Sequence, residues 1–324
     1  MTKAIRIYET GGPEVLKWED IQLEDPESGQ VRLKHTAIGL NFIDCYHRSG
    51  LYPVELPLTL GSEAVGIIEA IGPNVTGFEI GQRVTYCGGQ TGSYSMERNI
   101  DANVLIPLPN NINDKDAAAM MLKGLTAHML MFKCYQVKKG DTILIHAAAG
   151  GVGSIMCQWA NAIGATVIGT VGSRQKAEKA SKNGCHHTIN YTEEDFSTRV
   201  SEITNGTGVP VVYDSIGKNT YKQSMDCLTN FGMLVNYGNA SGPIPAIEPL
   251  ELMRKGSLSL CRPTLFNYTS DLAIRKKAAD ALFEVVALEN INIEIGQSYP
   301  LSETKEAHAA LEARKTTGST ILIP

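Results

Sequence analysis

The first third of the chain shows the alternation of apolar and polar residues that is typical of β-strands. Residues 3–8 alternate, "EVLKWEDIQL" follows a Gly-Gly-Pro turn, and "GQVRLKHTAIGL" reads as a further strand. Turn residues recur at short spacing, as in "GPNVTGFEIGQRVTY". Near residue 115 the pattern changes, because "DKDAAAMMLKGLTAHMLMFKC" is rich in Ala, Met and Leu. This segment predicts a helix that begins after Asn113 and Asp114.

From Gly140 onward, strand-like and helix-like segments alternate. The strands "DTILIHAA", "ATVIGTV", "HTIN", "VPVVYDSIG" and "GMLVNYG" are separated by helical segments such as "GGVGSIMCQWANAIG" and "RQKAEKASKNG". This alternation predicts a parallel, doubly wound α/β sheet. After residue 262, a helix and the strand-like tail "STILIP" resemble the N-terminal region again. The pattern therefore predicts a dinucleotide-binding domain at 123–261, inserted between two parts of a β-rich domain, 1–122 and 262–324.

Composition narrows the class of protein. Of the 324 residues, 43% are hydrophobic and 19% charged, as in ordinary globular proteins, and the net charge is -5 without a long Lys/Arg run. Nucleic acid and anionic membranes are therefore not expected partners. The sequence predicts neither a membrane span nor a signal peptide. The seven cysteines are scattered without a CxxC motif, which argues against a disulfide framework and favours the reducing cytoplasm.

The segment "HAAAGGVG" lies between a predicted strand and a predicted helix, which is the context of a dinucleotide fingerprint. Aligned to G-x-G-x-x-G, it places Ala148, Gly150 and Gly153 at the three small positions. We expect the cofactor phosphate to lie at the positive end of the helix, on the amides of Gly151 and Val152. The predicted contacts in this turn are Ala149, Gly150, Gly151 and Val152. The alternative is a structural turn without a ligand.

The segment "IGTVGSRQK" ends the next strand without a carboxylate. Enzymes for the unphosphorylated dinucleotide usually have Asp or Glu there, to accept hydrogen bonds from the ribose. Here Ser173 and Lys176 would face that place, with Arg174 nearby. Such donors bind a 2′-phosphate through charge-assisted hydrogen bonds. NADPH is therefore the expected cofactor, the alternative being a solvated start of a helix.

Four segments together resemble a known family. "KGDTILIHAAAGGVGSIMCQWA", "NFIDCYHRSGLYP", "LGSEAVGIIEAIGPNV" and "LKGLT" are similar to the zeta-crystallin-type quinone oxidoreductases of the medium-chain dehydrogenase/reductase superfamily, and the similarity extends to the closing "GSTILIP". The resemblance implies a GroES-like, β-rich catalytic domain that carries the substrate, and a Rossmann domain that carries the cofactor.

The resemblance also identifies the positions where zinc-dependent relatives hold their catalytic metal. By alignment these are Asn41, Ser62 and Lys123, and amide, hydroxyl and ammonium groups are not the ligands of a zinc site. Only Cys87 stands where a four-cysteine structural zinc lobe would lie. We therefore expect no metal. Glu63, which adjoins the metal in zinc relatives, is expected to be a buried structural acceptor.

Without a metal, the expected reaction is reduction of an acceptor that is already electrophilic, either a quinone or an α,β-unsaturated carbonyl. The resemblance implies that Asn41, Tyr46 and Tyr52 line the cleft beside the nicotinamide as hydrogen-bond donors. The alternatives are that Asn41 only satisfies backbone groups and that the two tyrosines only pack. The implied cofactor contacts, besides the glycine turn, are Asn41, Phe42, Ile43, Lys123, Thr126, Ser173, Lys176, Tyr191, Ser215, Tyr237, Gly238, Asn239, Arg262 and Arg314.

Two residues of a predicted helix and three histidines carry further expectations. Lys123 and Thr126 are expected to open a helix, with a solvated helix start as the alternative. His47 is expected to be a turn residue without a role. His186 and His187 flank a strand, where adjacent side chains point in opposite directions, so we expect no metal there.

Three functions remain open at this point. An NADPH-dependent quinone reductase leads, and a reductase of enone or enal double bonds is the alternative enzyme. A non-catalytic NADPH-binding protein, crystallin-like or RNA-binding, is the alternative of another class, and the acidic net charge counts against RNA. The resemblance further implies a homodimer joined through Rossmann edge strands, for which "GMLVNYG" and "SLSLC" are the expected edge. A tetramer is the alternative.

Overall fold

Sixteen strands and ten α-helices follow one another in the computed structural model, which describes residues 1–324. The first part contains β1 (Thr2–Ile7), β2 (Lys17–Ile21), β3 (Gln30–Leu40), α1 (Phe42–Ser49), β4 (Leu58–Thr59), β5 (Glu63–Ile71), β6 (Arg83–Cys87), β7 (Glu97–Asp101), β8 (Ile106–Pro107) and α2 (Asp114–His128). The middle contains β9 (Thr142–Ile145), α3 (Gly151–Ile163), β10 (Thr166–Val171), α4 (Arg174–Lys182), β11 (His187–Asn190), α5 (Phe196–Ile203), β12 (Val209–Asp214), α6 (Tyr221–Asp226), β13 (Leu228–Asn236), α7 (Pro249–Arg254), β14 (Ser259–Cys261) and α8 (Leu265–Tyr268). The last part contains α9 (Leu272–Ala287), β15 (Ile295–Pro300), α10 (Thr304–Glu312) and β16 (Ser319–Ile323).

The chain divides into two units. The first comprises Met1–Leu125, Thr269–Ala287 and Ile293–Pro324, and the second comprises Thr126–Tyr268 and Leu288–Asn292. None of the helices is both long and apolar enough to cross a membrane.

The first unit is built around a mostly antiparallel seven-stranded sheet. The strands lie in the order β15-β16-β3-β5-β6-β8, β7 also pairs with β3, and a smaller sheet has the order β2-β1-β4. The predicted alternation is visible in the first half of β3, where Val31 and Leu33 are buried and Arg32 and Lys34 are not. Val31 and Leu33 belong to a core that includes Leu60 and Ile68. The tail predicted as a strand forms β16, which pairs with β3. Both ends of the chain therefore contribute strands to the sheet of this unit.

The second unit is a parallel sheet of six strands, β11-β10-β9-β12-β13-β14, with helices in the connections. In chain order, β9, β10 and β11 are added from the middle of the sheet towards one edge, and β12, β13 and β14 from the middle towards the other edge. The chain therefore reverses direction across the sheet between β9 and β12. In such sheets ligands bind outside the carboxyl ends of the strands at this switch point. The strand order and the connecting helices confirm the predicted doubly wound parallel sheet.

One prediction about this sheet is correct for "SLSLC" and wrong for "GMLVNYG". β13, which contains "GMLVN", pairs with β12 on one side and with β14 on the other, so it lies inside the sheet. The three-residue strand β14, from "SLSLC", pairs only with β13 and forms the edge. The apolar composition of β13 reflects burial between two neighbours, which is typical of an interior parallel strand.

Candidate active site

The glycine turn lies at the carboxyl end of β9, where the sequence predicts the cofactor phosphate. Gly150 is the extended residue before α3, and Ala147 adopts a left-handed φ of 54°. A Cβ on Gly153 would overlap the carbonyl oxygen of Ala147 and lie 2.9 Å from Cα of Ala148, so the helix starts directly against the turn. A Cβ on Gly150 would meet one atom, 3.2 Å away, and otherwise project into open space. The turn thus offers a backbone cradle beside free helix N-terminal amides, which fits a dinucleotide phosphate.

The ends of β10 and β11 lie side by side, because Val171 and Asn190 are register partners. Ser173 caps α4, and its Oγ accepts the backbone N–H of Lys176 at 3.3 Å. A Cβ on Gly172 would overlap the hydroxyl of Tyr191, so that hydroxyl lies against the backbone just before Ser173. The structure therefore brings together Ser173, Lys176 and Tyr191, the three residues predicted at the 2′-phosphate.

Arg174 differs from these three residues. Its side chain is 91% exposed and lies 3.9 Å from the carboxylate of Glu178 one helical turn later. The sequence predicts Arg174 near the 2′-phosphate site without a contact to it. In the structure its exposed side chain pairs with Glu178 and does not join Ser173 and Tyr191.

Asp214 ends β12 and is fully buried, but its contacts are structural. Its carboxylate accepts hydrogen bonds from three donors in the following turn, the N–H groups of Ile216 (2.7 Å) and Gly217 (3.0 Å) and the hydroxyl of Thr220 (2.8 Å). Its carbonyl accepts the N–H of Tyr237 at 2.9 Å. Asp214 therefore shapes the loop at this edge, where the predicted contact Tyr237 also lies.

The neighbouring loops after β12 and β13 pack tightly on each other. A Cβ on Gly238 would lie 2.5 Å from the carbonyl oxygen of Ser215, so only glycine permits this approach. Arg262, which follows β14, donates to the carbonyl of Asn236 at 2.8 Å. When the Asn239 amide is oriented to match its neighbours, its oxygen accepts from Arg262 at 3.1 Å. Ser215, Gly238, Asn239 and Arg262, all predicted cofactor contacts, thus lie at one edge of the sheet.

In the first unit, Asn41 is buried at the start of α1 and contacts a carboxylate. Its side-chain amide nitrogen donates to Oε1 of Glu63 at 2.7 Å, and Glu63 is fully buried on β5. Glu63 also accepts from Nζ of Lys123 at 3.1 Å and from the backbone N–H of Leu122 at 2.6 Å. The prediction that Glu63 is a buried acceptor is confirmed.

Asp44 is a second fully buried carboxylate that the sequence analysis missed. It accepts the backbone N–H of Asn41 at 2.9 Å, the hydroxyl of Ser62 at 2.7 Å and the hydroxyl of Tyr94 at 3.0 Å. Burial raises the pKa of Asp44 to about 6, against the lowering effect of these hydrogen bonds. The signal available in the sequence was the capping-box spacing, since Asp44 stands three residues after the helix-capping Asn41.

The network continues from Asp44 to α10. Tyr94 lies 3.1 Å from Nε2 of His308, and Nη1 of Arg48 lies 3.1 Å from Nδ1 of the same ring. Because Arg48 can only donate, Nδ1 is the acceptor and the ring carries its proton on Nε2, towards Tyr94. Burial and the charge of Arg48 lower the pKa of His308 to about 3, so the ring is neutral. Arg48 also pairs with Glu312 at 2.6 Å.

Aromatic side chains lie on α1 and just after it, in the same unit. The rings of Tyr46 and Tyr52 meet edge to face with centroids 5.1 Å apart, and Phe42 lies 6.0 Å from Tyr46. Ile43 is half-buried beside them in the first turn. His47 lies within α1, so its predicted position in a turn is wrong; burial lowers its pKa, and its Nδ1 is buried without a partner.

Lys123 and Thr126 do not open a helix as predicted. They lie in the later turns of α2, which begins at Asp114, and both are more than nine-tenths buried. The Ala-rich run before them is already helical, so the alternative of a solvated helix start is excluded as well. Arg314 is exposed after α10, in a left-handed conformation with φ 58°.

The side chains at the positions of the zinc ligands are engaged with carboxylates. Asn41 and Lys123 bind Glu63, and Ser62 binds Asp44. No group of three His, Cys, Asp or Glu residues is placed to hold a metal ion. His186 accepts the backbone N–H of Val167 at 3.0 Å. That the protein works without zinc remains a prediction. The amide, ammonium and hydroxyl groups at these positions agree with it.

The sequence matches two known protein-family models. The model of the alcohol dehydrogenase GroES-like domain matches residues 27–110, and the model of the zinc-binding dehydrogenase matches residues 151–287. A quinone oxidoreductase of Pseudomonas aeruginosa is 48% identical over the full length of both chains. The chain belongs to the quinone oxidoreductase family. The family recognised from the sequence, within the medium-chain dehydrogenase/reductase superfamily, is therefore confirmed.

Two further relatives show the breadth of this similarity. The crystal structure of Escherichia coli quinone oxidoreductase complexed with NADPH has a TM-score of 0.98 at 44% identity, and covers 99% of this chain and 100% of that one. A 2-haloacrylate reductase of Burkholderia sp is 46% identical and covers 100% of this chain and 99% of its own. The quinone oxidoreductase family and its fold therefore extend over the entire chain, including both units.

Proposed function

We propose that this protein is an NADPH-dependent quinone reductase that works without a metal. The observation that carries the proposal is the end of β10, where Ser173, Lys176 and Tyr191 come together and no carboxylate caps the strand. A site with hydroxyl and ammonium donors suits a 2′-phosphate and disfavours a bare ribose. The relatives named quinone oxidoreductase, one of them solved with NADPH, support the same assignment.

Most of the residues that would hold NADPH belong to 123–261, the proposed cofactor domain. The turn Ala149 to Val152 would bind the pyrophosphate on its backbone, and the loops after β12 and β13 would contact the nicotinamide half. The proposed contacts in those loops are Ser215, Tyr237, Gly238, Asn239 and Arg262. When bound, NADPH supplies a hydride.

The acceptor is proposed to bind the β-rich part of the chain, 1–122 and 262–324. Asn41, Tyr46 and Tyr52 are its proposed neighbours, and Phe42, Ile43, Lys123, Thr126 and Arg314 complete the proposed nicotinamide and cofactor contacts. No group of three His, Cys, Asp or Glu side chains is placed to hold a metal ion, which would be needed to polarise an alcohol or a simple ketone. The aromatic faces of Tyr46 and Tyr52 and the polar groups near them suit a flat acceptor with carbonyl oxygens, such as a small quinone.

The second candidate is reduction of an activated carbon–carbon double bond. The 46% identity to a 2-haloacrylate reductase favours it, because a close relative bears that name. The test measures NADPH oxidation with 1,4-benzoquinone and with 2-chloroacrylate at equal concentrations. The proposal predicts the larger kcat/KM for the quinone. A larger kcat/KM for 2-chloroacrylate would replace the proposal with the second candidate, and oxidation with neither would contradict both.

We further propose a homodimer joined at β14. Leu260 on this edge strand is 37% exposed, and two apolar side chains near the same side of the sheet, Phe231 and Met253, are 81% and 57% exposed. The backbone N–H of Phe231 donates to Gly256 at 2.7 Å, which ties the first of them to the end of α7. An open edge with apolar neighbours favours pairing with a second copy. Light scattering should give a dimer mass, and Leu260→Lys should give a monomer.

The cytoplasm is the proposed location. All seven cysteines are free thiols and five of them are buried, which suits a reducing compartment.

A further inference from the structure

Three side chains in the first unit stand where zinc relatives hold their metal, and all three bind buried carboxylates. Glu63 receives Asn41 at 2.7 Å and Lys123 at 3.1 Å, while Asp44 receives Ser62 at 2.7 Å. Both carboxylates are fully buried. Since a buried carboxylate needs such donors, each of the three side chains is held in one orientation.

The orientation of Asn41 limits what it offers an acceptor. The carboxylate of Glu63 can only accept, so the amide nitrogen of Asn41 faces it. The other end of the Asn41 side chain faces the first turn of α1 in the capping box with Asp44. Asn41 therefore retains at most one N–H for another partner, and that N–H is uncharged.

Lys123 is in a different position. Its ammonium group has three N–H donors, and Glu63 is the single partner that the structure gives it. The side chain is 8% exposed, so the ammonium group is almost fully removed from water. Its ion pair with Glu63 fixes the position of the nitrogen and therefore of the other two N–H groups. Within the set of Asn41, Ser62 and Lys123, it supplies the only positive charge.

We propose that Lys123, held by Glu63, is a catalytic residue that donates to the acceptor oxygen on which negative charge develops. This inference rests on the proposed quinone reductase function. The acceptor gains a hydride, and with it two electrons, as NADPH becomes NADP⁺; one carbonyl oxygen takes up the resulting negative charge. Lys123 stabilises that oxygen through an N–H donor and loses no net proton, and a proton from water completes the reduced acceptor. A fixed charged donor in a water-poor site is an effective form of transition-state stabilisation.

The test compares Lys123→Gln with the wild type. Glutamine keeps an N–H donor for Glu63 and removes the charge, so it separates charge from packing. We expect kcat with 1,4-benzoquinone to fall roughly ten- to a hundred-fold, from the loss of one charge-assisted hydrogen bond. Lys123 is also a proposed cofactor contact, so NADPH affinity, followed by fluorescence, should fall as well, but less than tenfold (about 1.4 kcal/mol or less). Lys123→Arg should recover part of the lost rate. Lys115→Gln, on an exposed position of the same helix, is the control.

A second readout does not depend on turnover. The visible absorption of bound 4-nitrophenol reports how far its hydroxyl is ionised, and a nearby ammonium group favours the anion. We expect the wild type to favour the bound anion and Lys123→Gln to lose this effect. Unchanged kcat together with unchanged nitrophenol ionisation in a folded Lys123→Gln would overturn the role of Lys123. A wild type that fails to reduce quinones at all would instead overturn the proposed function.

Discussion

Gly39 and Glu63 pack so closely that a Cβ on Gly39 would overlap the Glu63 carboxylate. The same Cβ would also overlap the backbone carbonyl of Ala118. A glycine on β3 thus makes room for the buried carboxylate that holds Asn41 and Lys123.

Gly39→Ala should therefore destabilise the protein by about 2–4 kcal/mol, because it overpacks the core and displaces a buried ion pair. Urea denaturation measures the change. Gly29→Ala is the matched control: Gly29 has φ 84° with no atom within 4 Å of an added Cβ, so alanine there costs only about 1 kcal/mol of left-handed backbone strain. Equal losses in the two variants would show that Glu63 is not tightly confined.

His35 should make the protein sensitive to acid. It is fully buried between the carbonyl of Ser95 and the hydroxyl of Tyr86, and burial lowers its pKa to about 4. The unfolded chain takes up the proton from about pH 6.5, and the folded chain only near 4. Stability is therefore lost as the pH falls through this window, by about 3 kcal/mol from this residue.

The variant His35→Gln tests this loss, because glutamine cannot take up the proton. The slope of unfolding free energy against pH between 6.5 and 4 should become shallower in this variant. His308, whose pKa is lowered further, will maintain part of the slope. An unchanged slope would contradict the burial of a neutral His35. Asp44 acts in the opposite sense, since its raised pKa lets the folded state bind a proton first.

Tyr191 and Gly172 define one wall of the proposed 2′-phosphate site. Because a Cβ on Gly172 would overlap the Tyr191 hydroxyl, Gly172→Ala should push the ring away. We expect KM for NADPH to rise several-fold, by about 1 kcal/mol, with kcat nearly unchanged. Steady-state kinetics measure both. A change in kcat alone would place this strand end away from the cofactor.

Arg98 ties down the loop at the place where zinc relatives carry a metal lobe. Its Nη1 donates to the carbonyl of Gln90 at 3.2 Å, and its guanidinium lies 5.5 Å from the ring centre of Tyr86. Arg98→Met should destabilise the protein by about 1–3 kcal/mol and speed proteolysis of residues 88–92. Arg254→Met, at an exposed arginine, should do neither. Equal protease resistance of both variants would show that the loop is held by other contacts.

The fold was predictable because its signals are local. Alternation identified β1 and β3, and the glycine turn with its flanking segments identified β9 and α3. The interior position of β13 was not, since an apolar run alone does not show whether a further strand pairs beyond it, and the pairing with β14 is decided by tertiary contacts. The helix that contains Lys123 was predicted from its Ala-rich pattern, and the separate expectation that Lys123 opens a helix conflicted with that pattern.

The candidate site was predictable only in part. Ser173, Lys176 and Tyr191 follow from strand ends that must adjoin in a parallel sheet. The chain of contacts from Asp44 through Tyr94 to His308 joins residues up to 264 positions apart, and no sequence pattern links them. Asp44 alone carried a local signal, the capping-box spacing after Asn41.

The most direct test of the central claim is the ratio of kcat/KM for NADPH and NADH with 1,4-benzoquinone, in the wild type and in Lys176→Ala. We predict that NADPH is preferred roughly ten- to several-hundred-fold, from one or two charge-assisted bonds to its 2′-phosphate. Lys176→Ala should remove most of this preference, and Lys182→Ala, at an exposed position of the same helix, should leave it unchanged. Equal use of NADH and NADPH by the wild type would contradict the 2′-phosphate site and the proposed cofactor.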